Sequence, residues 1–153
     1  VSNKWISPLG DPCIAPPWGF LSGIGIPSGK LLWKKPIGTA AANGPFGIPS
    51  HLDITIGTPN NGGSVVTKGG VTFIAATLDD YIRAFDTKTG KQLWRDKLPA
   101  GGQATPISYV EKGRQYVVIA AGGHHFMDTT LGDSVVAYAL PENAVSTGST
   151  AGK

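Results

Sequence analysis

His124 is the side chain in this sequence best placed to do chemistry. It follows Gly122 and Gly123 at the end of a run that reads as a strand, Arg114 to Ala121. Residues without bulk let a backbone approach a flat ligand closely. An imidazole beside such a floor can donate to or accept from a ligand hydroxyl. Read blandly, it is a loop histidine solvated at a strand end. His125 is its neighbour, and adjacent residues of an extended chain point to opposite sides. The two therefore do not chelate one metal, and His125 reads as a surface residue. His51 has no partner at metal-ligand spacing. Asp79 precedes Asp80 in a turn, where a carboxylate commonly accepts from nearby backbone N–H groups. Gln103, in Gly102-Gln103-Ala104-Thr105-Pro106, offers an amide that either faces a site or locks a strand entry. No ligand set for a metal is read in the chain.

Those residues need a scaffold, and the scaffold is organised around Ala84 to Trp94, Ala-Phe-Asp-Thr-Lys-Thr-Gly-Lys-Gln-Leu-Trp. Phe85 and Leu93 have β propensity, Asp86 to Lys91 hold turn formers, and Gly90 can take a positive φ. Gly23 to Trp33 matches it at Gly29, Lys30, Leu32 and Trp33, with Gly25 in place of Asp86. That substitution predicts a weaker turn in the first copy. A repeat of about 60 residues carrying short strands suggests a propeller or array. Trp33 and Trp94 recur with the repeat, so they read as structural.

The 153 residues amount to one ordinary domain, with 22 glycines, 12 prolines and no long helical periodicity. Short strands and tight turns are expected. A net charge of +3, scattered along the chain, argues against nucleic acid as a partner. Cys13 is the single cysteine, which rules out an internal disulfide, and it is expected to be buried. No apolar run approaches the roughly 18 residues of a membrane-spanning helix. Because the first residue is Val1, the chain is expected to be cut from a longer protein.

In order, Val1 to Pro17 reads as an irregular approach broken by prolines. Phe20 to Ile26 and Leu31 to Ile37 read as a strand pair, and Gly38 to Pro59 as a long connection. Gly63–Lys68, Val71–Thr77, Tyr81–Asp86 and Gln92–Leu98 read as four antiparallel strands, one whole propeller sheet. Thr105–Val110, Arg114–Ala121 and Ser134–Leu140 give three strands of the next. Lys34, Lys35, Arg83, Arg95 and Lys97 are expected on solvated strand faces. Residues 1–141 are thus propeller (half a blade, a full blade and a partial blade), and 142–153 are expected as a flexible tail.

Four stretches carry a resemblance that covers roughly residues 5 to 141. They are Pro12-Cys13-Ile14-Ala15-Pro16-Pro17-Trp18-Gly19, Leu98 to Pro106, Gln115-Tyr116-Val117-Val118-Ile119 and Ala120-Ala121-Gly122-Gly123-His124. Together they resemble the C-terminal part of membrane-bound quinoprotein dehydrogenases of the glucose, quinate and shikimate type. The resemblance implies an all-β fold, the C-terminal blades of an eight-bladed β-propeller facing the periplasm at the bacterial inner membrane. It implies pyrroloquinoline quinone (PQQ), a Ca²⁺ or Mg²⁺ ion held mostly by upstream residues, a sugar or cyclitol substrate (glucose first, then quinate or shikimate), and ubiquinone as acceptor. It implies a substrate-recognition role for His124 and cofactor contacts for Gly122 and Gly123. Asp79 matches an Asp linked with cofactor or metal retention. Asn61, before Gly62, stands where relatives place a tryptophan against the cofactor, so hydrogen bonding replaces stacking. The remaining blades are the expected partner, no catalytic residue falls in this stretch, and the fragment alone is expected to be inactive. The competing reading is a non-enzymatic propeller scaffold.

Overall fold

The computed structural model describes residues 5–10, 12–42 and 44–141, and the segment expected as a tail lies outside them. Among the described residues, nine strands form three antiparallel sheets. β1 (Phe20–Gly25) pairs with β2 (Lys30–Pro36). β3 (Ser64–Val66), β4 (Val71–Ile74), β5 (Tyr81–Asp86) and β6 (Gln92–Lys97) form a sheet in chain order. β7 (Ile107–Glu111), β8 (Arg114–Ala121) and β9 (Ser134–Ala139) form the last. The half, whole and three-quarter sheets read from the sequence are therefore present. Helical structure among the described residues is limited to three short 3₁₀ turns, and none could cross a membrane.

The tryptophan repeat has a geometric counterpart. In the first sheet Gly23 pairs with Trp33, then Ile24 with Leu31, so Leu32 is an extra residue. In the second, Ala84 pairs with Trp94 and Phe85 with Gln92, so Leu93 is extra. A bulge at the same place bends both strands and aims both tryptophans at the following sheet. Trp33 donates its Nε1–H to the carbonyl of Thr87, 2.9 Å away, and its ring lies on the β5–β6 turn. A Cβ on Gly90 would come within 2.5 Å of that ring, and Gly90 also has φ +66. Trp94 meets the ring of Tyr138 on β9 edge to face, with centroids 5.1 Å apart.

Each pair of sheets encloses its own apolar layer. Ile37 and Leu21 pack with Ile74, Ala76 and Phe85 between the first two sheets. Ala75, Ile82, Leu98 and Ala100 pack with Ile119 and Ala121 between the second and third. Complete burial of a side chain such as Ile82 stabilises by about 1.5–3 kcal/mol.

Three expectations change. Val71–Thr77 ends as a strand at Ile74, because Ala76 turns to φ +54 and its N–H goes to the carbonyl of Gly102. Cys13 is exposed, not buried, since the stretch around it lies open along the surface. Arg83 is 3% exposed and not on a solvated face. It stands in β5, a strand covered on both sides, where Ile82, Ala84 and Phe85 are also buried.

Candidate functional site

The site residues gather at one end of the three sheets. Antiparallel pairing sets Ser64 opposite Ile74 and Ala121 opposite Ser134. It thereby brings the segments before β3, after β4, before β7 and after β8 to the same end. Backbone hydrogen bonds knit them together. Asn61 N–H donates to the Ala76 carbonyl (3.1 Å), and Ala76 N–H donates to that of Gly102 (2.8 Å). Gly101 accepts from Gly123 N–H at 2.8 Å and donates to the Thr130 carbonyl at 2.9 Å. A continuous path of main-chain bonds thus runs from Asn61 to the loop carrying His124.

Asn61 and His124, 63 residues apart, come together here. The Asn61 Nδ2 lies 3.5 Å from His124 Nε2, a long contact that a small movement or a bridging ligand would change. Among the described residues, His124 Nδ1 is buried with no hydrogen-bond partner, as is Gln103 Oε1. The Gln103 amide nitrogen donates to the Thr77 carbonyl at 3.1 Å, so its side chain locks the entry to β7. Thr129, missed in the sequence, accepts from His124 N–H through its Oγ1 at 2.8 Å. The only sequence signal for it was a hydroxyl a few residues beyond the histidine.

The glycines divide into two kinds. A Cβ on Gly62 would lie 2.7 Å from the Gln103 carbonyl, and one on Gly123, at φ +71, would collide with the Thr130 carbonyl. The chain's own packing accounts for both. Gly122 is exposed, and a Cβ there would meet nothing nearer than the Gly132 carbonyl at 3.7 Å. Its bare backbone leaves open surface two residues from the Asn61–His124 contact. An open glycine floor with an amide and an imidazole at its rim fits the edge of a flat, oxygen-rich group such as PQQ.

Asp79 has both carboxylate oxygens engaged by the protein itself. Its Oδ2 accepts from Thr39 N–H at 2.7 Å and from Arg83, and its Oδ1 accepts from Thr77 Oγ1 at 2.6 Å and from Arg83 at 3.1 Å. Burial pushes this carboxyl up. The hydrogen bonds and charge of Arg83, with those of Thr77 and Thr39, outweigh it and hold the group below its ordinary value. The carboxylate joins the connection after β2 to β5 and has both oxygens in use. Among the described residues, no three of His, Cys, Asp and Glu gather to hold a metal ion.

Comparison with known proteins decides the family. Residues 1–117 match the family model described as PQQ glucose/ethanol/alcohol dehydrogenase, β-propeller domain. The chain belongs to this PQQ propeller family. The match contains Asn61, Gly62 and Asp79 and ends before Gly122. The chain is 55% identical to the glycerol dehydrogenase large subunit of Gluconobacter oxydans (strain 621H), over 94% of its own length and 19% of the relative. It is 51% identical to the probable quinate dehydrogenase (quinone) of Xanthomonas campestris pv. juglandis, over 92% and 18%. It is 48% identical to the quinoprotein glucose dehydrogenase of Escherichia coli (strain K12), again over 92% and 18%. The chain therefore spans about a fifth of the length of these PQQ-family relatives.

Proposed function

We propose that the whole protein is a quinone-linked dehydrogenase that oxidises a hydroxyl of a sugar, cyclitol or smaller polyol. These residues would form one wall of its site. The observation that carries this reading is the Asn61–His124 contact beside the open backbone of Gly122, in a chain of the PQQ propeller family. Bound PQQ would supply the two-electron acceptor that no side chain provides.

The chain's own part is binding and orientation. The Asn61 amide and the His124 imidazole can hydrogen-bond cofactor or substrate oxygens at the rim of the floor. With Asn61 donating to Nε2, the ring proton sits on Nδ1, so reorienting the imidazole exchanges donor for acceptor. The buried layers under the loops, led by Ala75 and Ala121, exclude water from below. Gln103 and the Asp79–Arg83 pair hold the strand ends on which the floor is built.

Glucose is our first substrate, with quinate, shikimate and glycerol as alternatives taken from the relatives' names. We further propose a ring of eight blades on the periplasmic side of the inner membrane, a Ca²⁺ or Mg²⁺ ion held by residues outside this stretch, and ubiquinone as acceptor. The test is a dye-linked substrate panel on the full-length protein, reconstituted with PQQ and Ca²⁺, beside His124→Ala. The expected result is dye reduction with at least one polyol, and a substitution that changes substrate preference more than PQQ retention. Absence of both PQQ absorbance and dye reduction with every polyol overturns the dehydrogenase reading in favour of a scaffold.

A further inference from the structure

Asp80 is an expensive residue to keep. Its backbone has φ +58, a left-handed conformation uncommon outside glycine, though less costly for Asp than for most residues. Its Oδ1 is buried without a hydrogen-bond partner among the described residues. Unsatisfied acceptors and unusual backbone tend to cluster where structure serves function. The Asp80 side chain makes one hydrogen bond in return: Oδ2 accepts from Thr130 Oγ1 at 2.8 Å, across from the β4–β5 turn to the β8–β9 loop.

What Thr130 holds is the carrier of His124. The Thr130 carbonyl accepts from Gly101 N–H, and the Gly101 carbonyl accepts from Gly123 N–H. Thr129, buried at 7% exposure, takes the N–H of His124 itself on its hydroxyl. The loop doubles back so that Thr129 and Thr130 straddle the glycine strap, one tied to His124 and the other to Asp80. The Thr130–Asp80 hydrogen bond ties this loop to the second sheet's turn.

We propose that Asp80 and Thr130 form a positioning latch that sets the distance between His124 on the third sheet and Asn61 on the second, and so tunes which hydroxyl the site accepts. This rests on the dehydrogenase reading for its substrate consequence but not for its mechanical one. A hydrogen bond to a carboxylate is shorter and stronger than a neutral one. Its loss lets the loop that carries His124 shift while the strands beneath it, buried around Ile119 and Ala121, stay in place.

The test uses the full-length protein with Thr130→Val, which keeps shape and removes the donor, Thr130→Ser, which keeps the donor, and Asp80→Asn, which keeps an acceptor and tolerates left-handed backbone. Hydrogen exchange of the PQQ-free protein is read first. The expected result is exchange about tenfold faster across residues 122–131 in Thr130→Val, about 1.4 kcal/mol of local protection. Thr130→Ser should match the parent and Asp80→Asn should fall between. With PQQ and Ca²⁺, Thr130→Val should raise KM for the preferred polyol about tenfold, with kcat nearly unchanged. In a His124→Ala background it should add nothing to the change in substrate preference. Parental exchange over 122–131 in Thr130→Val, or effects of Thr130→Val and His124→Ala that simply multiply, overturns the latch. If the parent reduces no dye with any polyol, the dehydrogenase reading falls while the exchange result still decides the latch.

Discussion

At the scale of single residues, the pair that most constrains this end of the fold is Asp79 with Arg83. Removing one partner of a buried, hydrogen-bonded charge pair costs about 3–5 kcal/mol, because the other charge is left unpaired. Asp79→Asn and Arg83→Met should therefore each lower the unfolding midpoint of the full-length protein sharply, as measured by urea titration. The double variant should recover part of that loss. The sign of the pH dependence follows from the depressed carboxyl. Asp79 contributes stability that is fully present above its ordinary unfolded value near 3.8 and is lost as pH falls through its lower folded value. Asp79→Asn should thus flatten the acid limb of the stability curve, and an unchanged limb would contradict the pairing. The Asp was legible as a turn residue in the sequence. The Arg was misread because alternation predicts an outward cation, whereas β5 has no alternation. The unbroken apolar company of Ile82, Ala84 and Phe85 was the signal that position 83 lies inside.

At the scale of elements, the bulged tryptophan hairpin explains why the strands were readable. Both copies pair a small residue with the tryptophan and push out one leucine, so their sequences match where their geometry matches. The turns differ as the sequence implied. Asp86 Oδ1 accepts from Thr89 N–H at 2.7 Å, Thr89 Oγ1 at 2.8 Å and Lys88 N–H at 3.1 Å, and these bonds hold its carboxyl below the ordinary value. Both turns bond the closing glycine N–H to the first residue's carbonyl, Gly29 to Gly25 and Gly90 to Asp86, but in the first copy Ser28 N–H also goes to that carbonyl where Thr89 N–H has a carboxylate. Gly25→Asp should install the missing acceptor and raise the thermal midpoint, provided Ser28 Oγ, 2.9 Å from the new Cβ, rotates aside. Trp33→Ala should cost about 3–5 kcal/mol, since it empties the contact with the Gly90 turn and strands a carbonyl. Trp94→Ala should cost less, as that ring is 38% exposed. Equal losses in calorimetry would show that the two copies do not dock their neighbours in the same graded way. The loop 122–133 was not legible in such detail, because its order comes from Thr129, Thr130 and Gly101, which meet only in three dimensions. For the same reason Gly123→Ala should be costly beyond the roughly 1–2 kcal/mol of a left-handed non-glycine, since its Cβ also strikes the Thr130 carbonyl.

At the scale of the whole molecule, the sheets that flank the central one carry faces that nothing among the described residues covers. Leu31, Leu32 and Ile24 are exposed on the first sheet, and Ile107, Val110 and Val135 on the third. Surface of that character, repeated on two sides, associates when left in water. Among the described residues the third sheet also has three strands where the central one has four, which leaves β9 at its edge. In a protein of the relatives' length the remaining four-fifths of the chain would have this surface to pack against. Residues 1–153 produced alone should therefore self-associate in size-exclusion chromatography and bind a hydrophobic dye. They should reduce no acceptor with PQQ, Ca²⁺ and any polyol, because the floor at Gly122 would lack its opposite walls. In the full-length protein the amides of β9 should resist hydrogen exchange as strongly as those of β5. A monodisperse, non-binding monomer of 153 residues, or rapid exchange along β9 in the full chain, would show that these faces are free surfaces and not the seams of a larger ring.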